Sequence, residues 1–133
     1  MTLYADSSAI LKRYIDEPGS EAATTMLGSD PELVTGRHTV VEVRRNLSRL
    51  LSGTALQATR RAFATDLDAF GIVELDAATC ELAADIAERT GARTLDALHL
   101  GAAARLGTTI TFLTFDARQA HIARTMGFAV AGA

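Results

Sequence analysis

At 133 residues with 48% hydrophobic side chains, the chain reads as a single domain, residues 1–133, able to bury a core without disulfides or structural zinc. A charged fraction of 22% and a mean hydropathy of +0.15 exclude a disordered chain, and no apolar run reaches the ~18 residues needed to cross a bilayer, so a soluble protein with no membrane role is expected. The formal net charge of −3 excludes a uniformly basic, phosphate-coating surface but not a nucleic-acid ligand, because an acidic metal site concentrates negative charge that bound cations offset.

The elements alternate short β-type runs with helix-type segments, the pattern of a parallel sheet covered by helices. Met1 to Asp6 lacks the basic region and long apolar run of a signal peptide, which predicts a cytoplasmic protein, and Thr2–Ala5 is the first strand. Pro18 and Gly19 divide the next segment into helices over Ser7–Ile15 and Ser20–Leu27. Leu33–Thr35 is a second strand. The helix Thr39–Ser52 places Val40, Val43, Leu47, Leu50 and Leu51 on one face and Glu42, Arg45 and Arg49 on another. Leu56, Phe63, Leu67 and Phe70 outline a further helix, and Ile72–Leu75 is the third strand. A helix opens at Asp76 and ends at Gly91; within it the single Cys80 reads as a small buried residue, since no second Cys or clustered His gives it zinc-ligand spacing. Leu95, Leu98, Ala102 and Leu106 mark a helix after Thr94 that Gly107 ends, Ile110–Thr114 is the clearest strand, a last helix follows Asp116, and Phe128–Val130 closes the chain. Five strands interleaved with helices predict a three-layer α/β domain, whose ligands bind beyond the carboxyl ends of the strands.

Four acids sit at element ends: Asp6 after the first strand, Glu42 and Asp96 in first helical turns, and Asp116 after the fourth strand. Each also reads as a cap or a dipole partner. Thr39 with Glu42 matches a capping box, Asp116 with Gln119 resembles another, Asp6 fits the start of the first helix, and Asp96 suits a helix N-terminus. Asp76 is an internal control, because it too follows a strand and opens a helix. If the fourth strand pairs with the first, Asp6 and Asp116 border the switch point of the sheet, where oxygen ligands suit Mg2+ or Mn2+.

The segments Asp6-Ser-Ser-Ala-Ile-Leu, Val40-Val-Glu-Val-Arg-Arg, Thr94-Leu-Asp-Ala-Leu-His-Leu and Thr111-Phe-Leu-Thr-Phe-Asp-Ala-Arg resemble, in order and spacing, the VapC toxins among PIN-domain ribonucleases. The resemblance runs over essentially the whole chain. It implies a five-stranded parallel sheet of order 3-2-1-4-5, which leaves Asp76 at an edge and outside the site. It implies a metal-binding catalytic cluster of Asp6, Glu42, Asp96 and Asp116, with Asp6 and Asp96 as direct ligands and Thr114 as an auxiliary. No core acid of the pattern is missing. The implied activity is Mg2+-dependent endoribonuclease cleavage, with Mn2+ able to substitute, by the toxin of a type II toxin-antitoxin pair that inhibits translation or growth when unopposed. The implied partners are an RNA substrate, a VapB-type antitoxin and a second copy of the chain, giving a homodimer and a heterotetramer or larger assembly with antitoxin.

Arg44, Arg45 and Arg49 are candidates for RNA or antitoxin contact, or face solvent. His99, one turn after Asp96, reads as a packed helix histidine rather than a support for the site, and His38 and His121 show no catalytic partner, so a metal-free ribonuclease using paired histidines finds no shared geometry. Ser7 and Ser8 read as helix-start residues. A receiver-type phosphoacceptor shares size and sheet type, but it calls for paired acids after the first strand and a late lysine, whereas Ser7 follows Asp6 and Lys12 is the only lysine. A slow or inactive PIN-like binding module is the remaining alternative.

Overall fold

The structure, a computed structural model, describes residues 2–29 and 32–133, so Met1, at the head of the segment read as lacking a signal peptide, lies outside the described residues. The elements are β1 (Leu3–Ala5), α1 (Ser7–Leu11), α2 (Ser20–Ser29), β2 (Leu33–Gly36), α3 (Thr39–Leu50), α4 (Gly53–Leu67), β3 (Gly71–Val73), α5 (Ala77–Thr90), α6 (Thr94–Ala104), β4 (Thr111–Thr114), α7 (Ala117–Thr125) and β5 (Ala129–Gly132). All five strands pair in parallel in the order β3-β2-β1-β4-β5. Tyr4 of β1 stands opposite Val34 of β2 and Phe112 of β4, so the first strand is central and the sheet reverses its order beside it.

The alternation of side chains along a strand makes the three layers. Tyr4 and Phe112 face a core built with Ala83 and Ile86 of α5, Ala97 and Leu100 of α6, and Ile122 and Ala123 of α7. Leu3, Ala5 and Leu113 face the opposite core, filled by Ala9 and Ile10 of α1, Leu27 of α2, Val43 and Leu47 of α3, and Phe63 of α4. Gly101 lets α6 lie directly on α5: a Cβ there would stand 2.9 Å from the Ala83 nitrogen. Among the described residues no helix is long and apolar enough to cross a membrane.

Several boundaries differ from the sequence expectation for local physical reasons. α1 stops at Leu11 rather than Ile15, because Arg13, Tyr14 and Ile15 fold back in turns onto Ile10 and Leu11 before Pro18 redirects the chain. α3 ends at Leu50, which is 43% exposed rather than on the apolar face, and Leu51 is extended. β3 begins and ends earlier, since Glu74 leaves the sheet to pair with Arg37 and Leu75 leads into the Asp76 cap. α6 tightens into three-residue turns after Ala104 and closes at Gly107, whose φ of +85° suits a residue without a side chain. Cys80 is exposed rather than buried, because α5 turns Ala83 and Ile86 inward and leaves Cys80 at the rim of an open hollow between α5 and α6.

Candidate active site

The site grows from the carboxyl ends of β1 and β4. Asp6 leaves β1 with its amide bonded to the Leu113 carbonyl of β4 at 3.1 Å, and its carboxylate caps α1 by accepting from the Ala9 amide at 3.2 Å. Ser8 hydroxyl donates to the same oxygen at 2.6 Å and accepts from the Phe115 amide at 3.1 Å. Thr114 hydroxyl lies 3.4 Å from Ser8 Oγ and accepts from the Asp116 amide at 3.1 Å, so it joins the Asp6 turn to the Asp116 turn. Asp6 is only 4% exposed, and among the described residues no Lys or Arg pairs with it. Burial therefore raises its pKa above the usual carboxylate range, against the opposing pull of His99 and of hydrogen bonds from Ser8, Thr114 and Ala9.

Glu42 comes from the first turn of α3, but it does not close the capping box that its spacing suggests. Thr39 hydroxyl is bonded instead to Thr35 at 2.7 Å, and Glu42 Oε1 lies 2.7 Å from Nε2 of His99. The other nitrogen of His99 is bonded to Tyr4 hydroxyl at 2.8 Å, completing a buried line from β1 through α6 to α3. Burial pushes Glu42 upward, yet the His99 bond, the charges of His99 and His38 and a bond from Ser7 outweigh it and hold the carboxyl below its ordinary pKa. His38 lies tilted against His99, ring centroids 3.9 Å apart and planes at 43°, and its Nε2 is 3.8 Å from Glu42 Oε1. Burial and the His99 charge lower its pKa to about 4, with Glu42 and the Leu95 backbone pulling the other way. The expectation that the histidines share no geometry is thus corrected for His38 and His99, and His99 is more than a packed helix residue because its two nitrogens hold Tyr4 and Glu42. His121 is exposed.

Asp96, in the first turn of α6, receives Arg93 Nε at 3.1 Å, and Arg93 Nη2 reaches Asp116 at 3.5 Å. Asp116 caps α7 through the Arg118 and Gln119 amides, but Gln119 does not complete a capping box; its side-chain amide donates to the Asp96 carbonyl at 3.0 Å. Glu42, Arg93, Thr94, Leu95 and Asp96 line one open cleft of about 350 Å³. Two larger hollows of about 460 and 710 Å³ lie along residues 12–26 and hold none of the four acids.

The fold brings Glu42 and Asp96 to one cleft, joins Asp96 to Asp116 through Arg93, and holds Asp6 within electrostatic reach of His99. It does not draw the four carboxylates into one tight knot. Among the described residues, the only trio of His, Cys, Asp or Glu whose ligand atoms all lie within 4.8 Å of one another is His38, Glu42 and His99. Arg44, Arg45 and Arg49 are exposed on α3; Arg44 and Arg45 line a groove with Val41 and Arg60, whereas Arg93 is the cation on the acidic cleft. Asp76 is held at the edge by Thr79 and Arg105 and stays clear of the cleft. Spacing alone carried hints of what was missed: His38 stands one turn before Glu42, and His99 one turn after Asp96.

The PIN-domain family model matches residues 3–125. The chain is 38% identical over 130 residues to "Ribonuclease VapC46" of Mycobacterium tuberculosis, covering 96% of this chain and 95% of that one. Its fold is similar to the crystal structure of VapC20, a sarcin-ricin loop cleaving toxin of Mycobacterium tuberculosis (TM-score 0.75, 19% identity, 96% and 97% of the two chains). It is also similar to VapBC2 from Rickettsia felis bound to a DNA fragment from its promoter (TM-score 0.70, 12% identity, 98% of each chain). The family match over nearly the whole chain, the VapC relative and the shared sheet order establish that the chain belongs to the PIN-domain family, in its VapC group.

Proposed function

We propose that the protein is a divalent-metal-dependent endoribonuclease and the toxin of a type II toxin-antitoxin pair. The observation that carries this reading is Asp6: a buried carboxylate at the switch point of the sheet, unpaired with any Lys or Arg among the described residues, and in electrostatic reach of the His99 that holds Glu42 at the acidic cleft. The 38% identity to a named ribonuclease over 96% of the chain supports the same reading.

The oxygen donors present fit a hard cation such as Mg2+ or Mn2+, with Asp6 and Asp96 as direct ligands and Glu42 and Asp116 completing the set. Such an ion would lower the pKa of an attacking water and offset charge on the cleaved phosphodiester. The chain's own contribution is positional. Ser8 and the Ala9 amide fix the Asp6 carboxylate, Thr114 ties it to the Asp116 turn, and His99 aims Glu42 toward the cleft. With water as the nucleophile and the 3′-oxygen as the leaving group, the P–O3′ bond breaks and products should carry 5′-phosphate and 3′-hydroxyl ends. Arg93, 65% exposed beside two carboxylates, is placed to meet an RNA phosphate. The exposed arginines and apolar residues of α3, including Val41 and Leu50, offer a separate surface for a VapB-type antitoxin or a second copy.

The test is incubation of antitoxin-free protein with total cellular RNA in Mg2+, Mn2+ or EDTA, followed by end mapping. Discrete products with 5′-phosphates that vanish in EDTA support the reading. Cleavage that persists in EDTA contradicts metal dependence, and a folded, inactive protein that still binds RNA or antitoxin favours the binding module. Association with antitoxin is checked by co-expression and by the mass of the complex.

A further inference from the structure

Beside the acidic cleft lies a second donor set of different chemistry, made of His38, Glu42 and His99. Three observations single it out. His38 is only 6% exposed, yet neither of its ring nitrogens makes a well-formed hydrogen bond, the Leu95 backbone being its polar neighbour besides Glu42 and His99, and a buried ring so placed is short of the partners it had in water. The fold also makes room for this ring: a Cβ on Gly36 would stand 2.6 Å from His38 Cε1 and 2.8 Å from Nδ1. Finally, the Nδ1 of His99 is held by the buried Tyr4 hydroxyl while its Nε2 faces Glu42, the arrangement in which an outer hydrogen bond orients a metal-binding imidazole.

We propose that His38, Glu42 and His99 form a site of two imidazoles and one carboxylate for a borderline transition-metal cation of the zinc class, and that occupying it draws Glu42 away from the acidic cleft. Imidazole nitrogens favour such ions over Mg2+, which keeps to oxygen donors. A tetrahedral ion with bonds of about 2.0–2.1 Å sets its donors roughly 3.4 Å apart. Glu42 Oε1 stands 2.7 Å from His99 Nε2 and 3.8 Å from His38 Nε2, on either side of that spacing, so small rotations of the side chains suffice. Water from the cleft that Glu42 lines would complete the coordination. The zinc-class ion therefore opposes the hard cation by competing for one shared carboxylate. This inhibitory consequence rests on the proposed nuclease reading; the binding site itself does not.

The experiment uses the full chain, stripped of metal and kept in excess Mg2+, titrated with Zn2+ against a chromophoric chelator and with Co2+ while visible absorption is recorded. The expected result is one bound equivalent and Co2+ bands of low-coordination intensity. His38→Gln should weaken Zn2+ binding by roughly 10–100-fold or more, whereas Asp96→Asn should leave it nearly unchanged, with circular dichroism showing both variants folded. Absence of Zn2+ binding to the folded wild type would overturn the site, as would equal affinity in His38→Gln or a loss confined to Asp96→Asn. A parallel assay follows RNA cleavage in Mg2+ as Zn2+ is added: inhibition in wild type that His38→Gln escapes supports the competition, and equal inhibition of both refutes it. If no cleavage occurs at all, the nuclease reading fails while the binding titration still decides the site.

Discussion

His99 Nε2 and Glu42 Oε1 meet at 2.7 Å across two helices, and the far nitrogen of the same ring holds the Tyr4 hydroxyl of the central strand. His99→Leu strips both partners at once, leaving a buried phenol and a half-buried carboxylate unpaired. The expected loss is about 2–4 kcal/mol of stability, read as a shift in urea midpoint with unchanged slope. His99→Gln, able to keep one of the two bonds, should lose less. Equal stability of wild type and His99→Leu would show that the line from Tyr4 to Glu42 carries no energy.

Asp6 should be a costly residue for the metal-free fold. Its pKa is raised on folding by burial, so its contribution to stability is fully present below the unfolded value of about 4 and is lost as pH rises through the folded one. Asp6→Asn keeps a capping side chain while removing the charge. In EDTA it should therefore melt higher than wild type at pH 7–8, with the gain vanishing near pH 4. Mg2+ should raise the melting temperature of wild type and not that of the variant. A variant that melts lower than wild type at pH 8 contradicts the burial argument.

His38 acts in the opposite sense. Its pKa is lowered to about 4, so the neutral ring contributes stability above its unfolded value near 6.5 that is lost as pH falls toward 4. This window overlaps that of Asp6, and the two are separated by making His38→Phe in the Asp6→Asn background. Thermal melts across pH 4–7 should then show a flatter acid limb. An unchanged limb would assign it elsewhere.

Arg93 stands where a cation belongs, between Asp96 and Asp116. Because exposed pairs of this kind are each worth only about 0.2–1 kcal/mol and Arg93 makes two, Arg93→Gln should tighten Mg2+ binding no more than ~30-fold by calorimetry, while weakening RNA binding. Weaker Mg2+ binding would mean that Arg93 supports the metal site rather than competing with it.

Gly101 tests the packing. Gly101→Ala drives a methyl to 2.9 Å from the Ala83 nitrogen and to about the same distance from its Cβ, so about 1–3 kcal/mol should be lost despite the better helix propensity of alanine. A stabilised variant would show that α5 and α6 have slack.

The strands and helices were visible in the sequence because hydrophobic runs and their breakers are local: Thr111–Thr114 and the Gly91 and Gly107 stops fall where pattern and turn chemistry place them. The order of the strands was not local, and it came from the family resemblance of four spaced segments. Side-chain partners were harder to read. Thr39 and Glu42 have capping-box spacing, but tertiary contact offered Glu42 a buried imidazole and Thr39 a neighbouring threonine, and those partners prevailed. His38 and His99 come together only because β2 lies beside β1 and α6 packs across that side of the sheet, a juxtaposition no single helical period encodes. The exposure of Cys80 has a related cause: the packing of α5 on α6, and not the helical period of α5, decides which of its residues are buried.

The carboxylates beyond β1 and at the start of α6 are proposed to cut RNA with a divalent cation. The most direct measurement is the single-turnover cleavage rate of one RNA in Mg2+ by wild type, Asp6→Asn, Asp96→Asn and the edge control Asp76→Asn, each verified as folded. Activity retained in the control and lowered by at least about 100-fold in the other two is the predicted result, the scale expected when a group essential to the chemical step is removed. Cleavage by Asp6→Asn and Asp96→Asn at the wild-type rate would contradict the account.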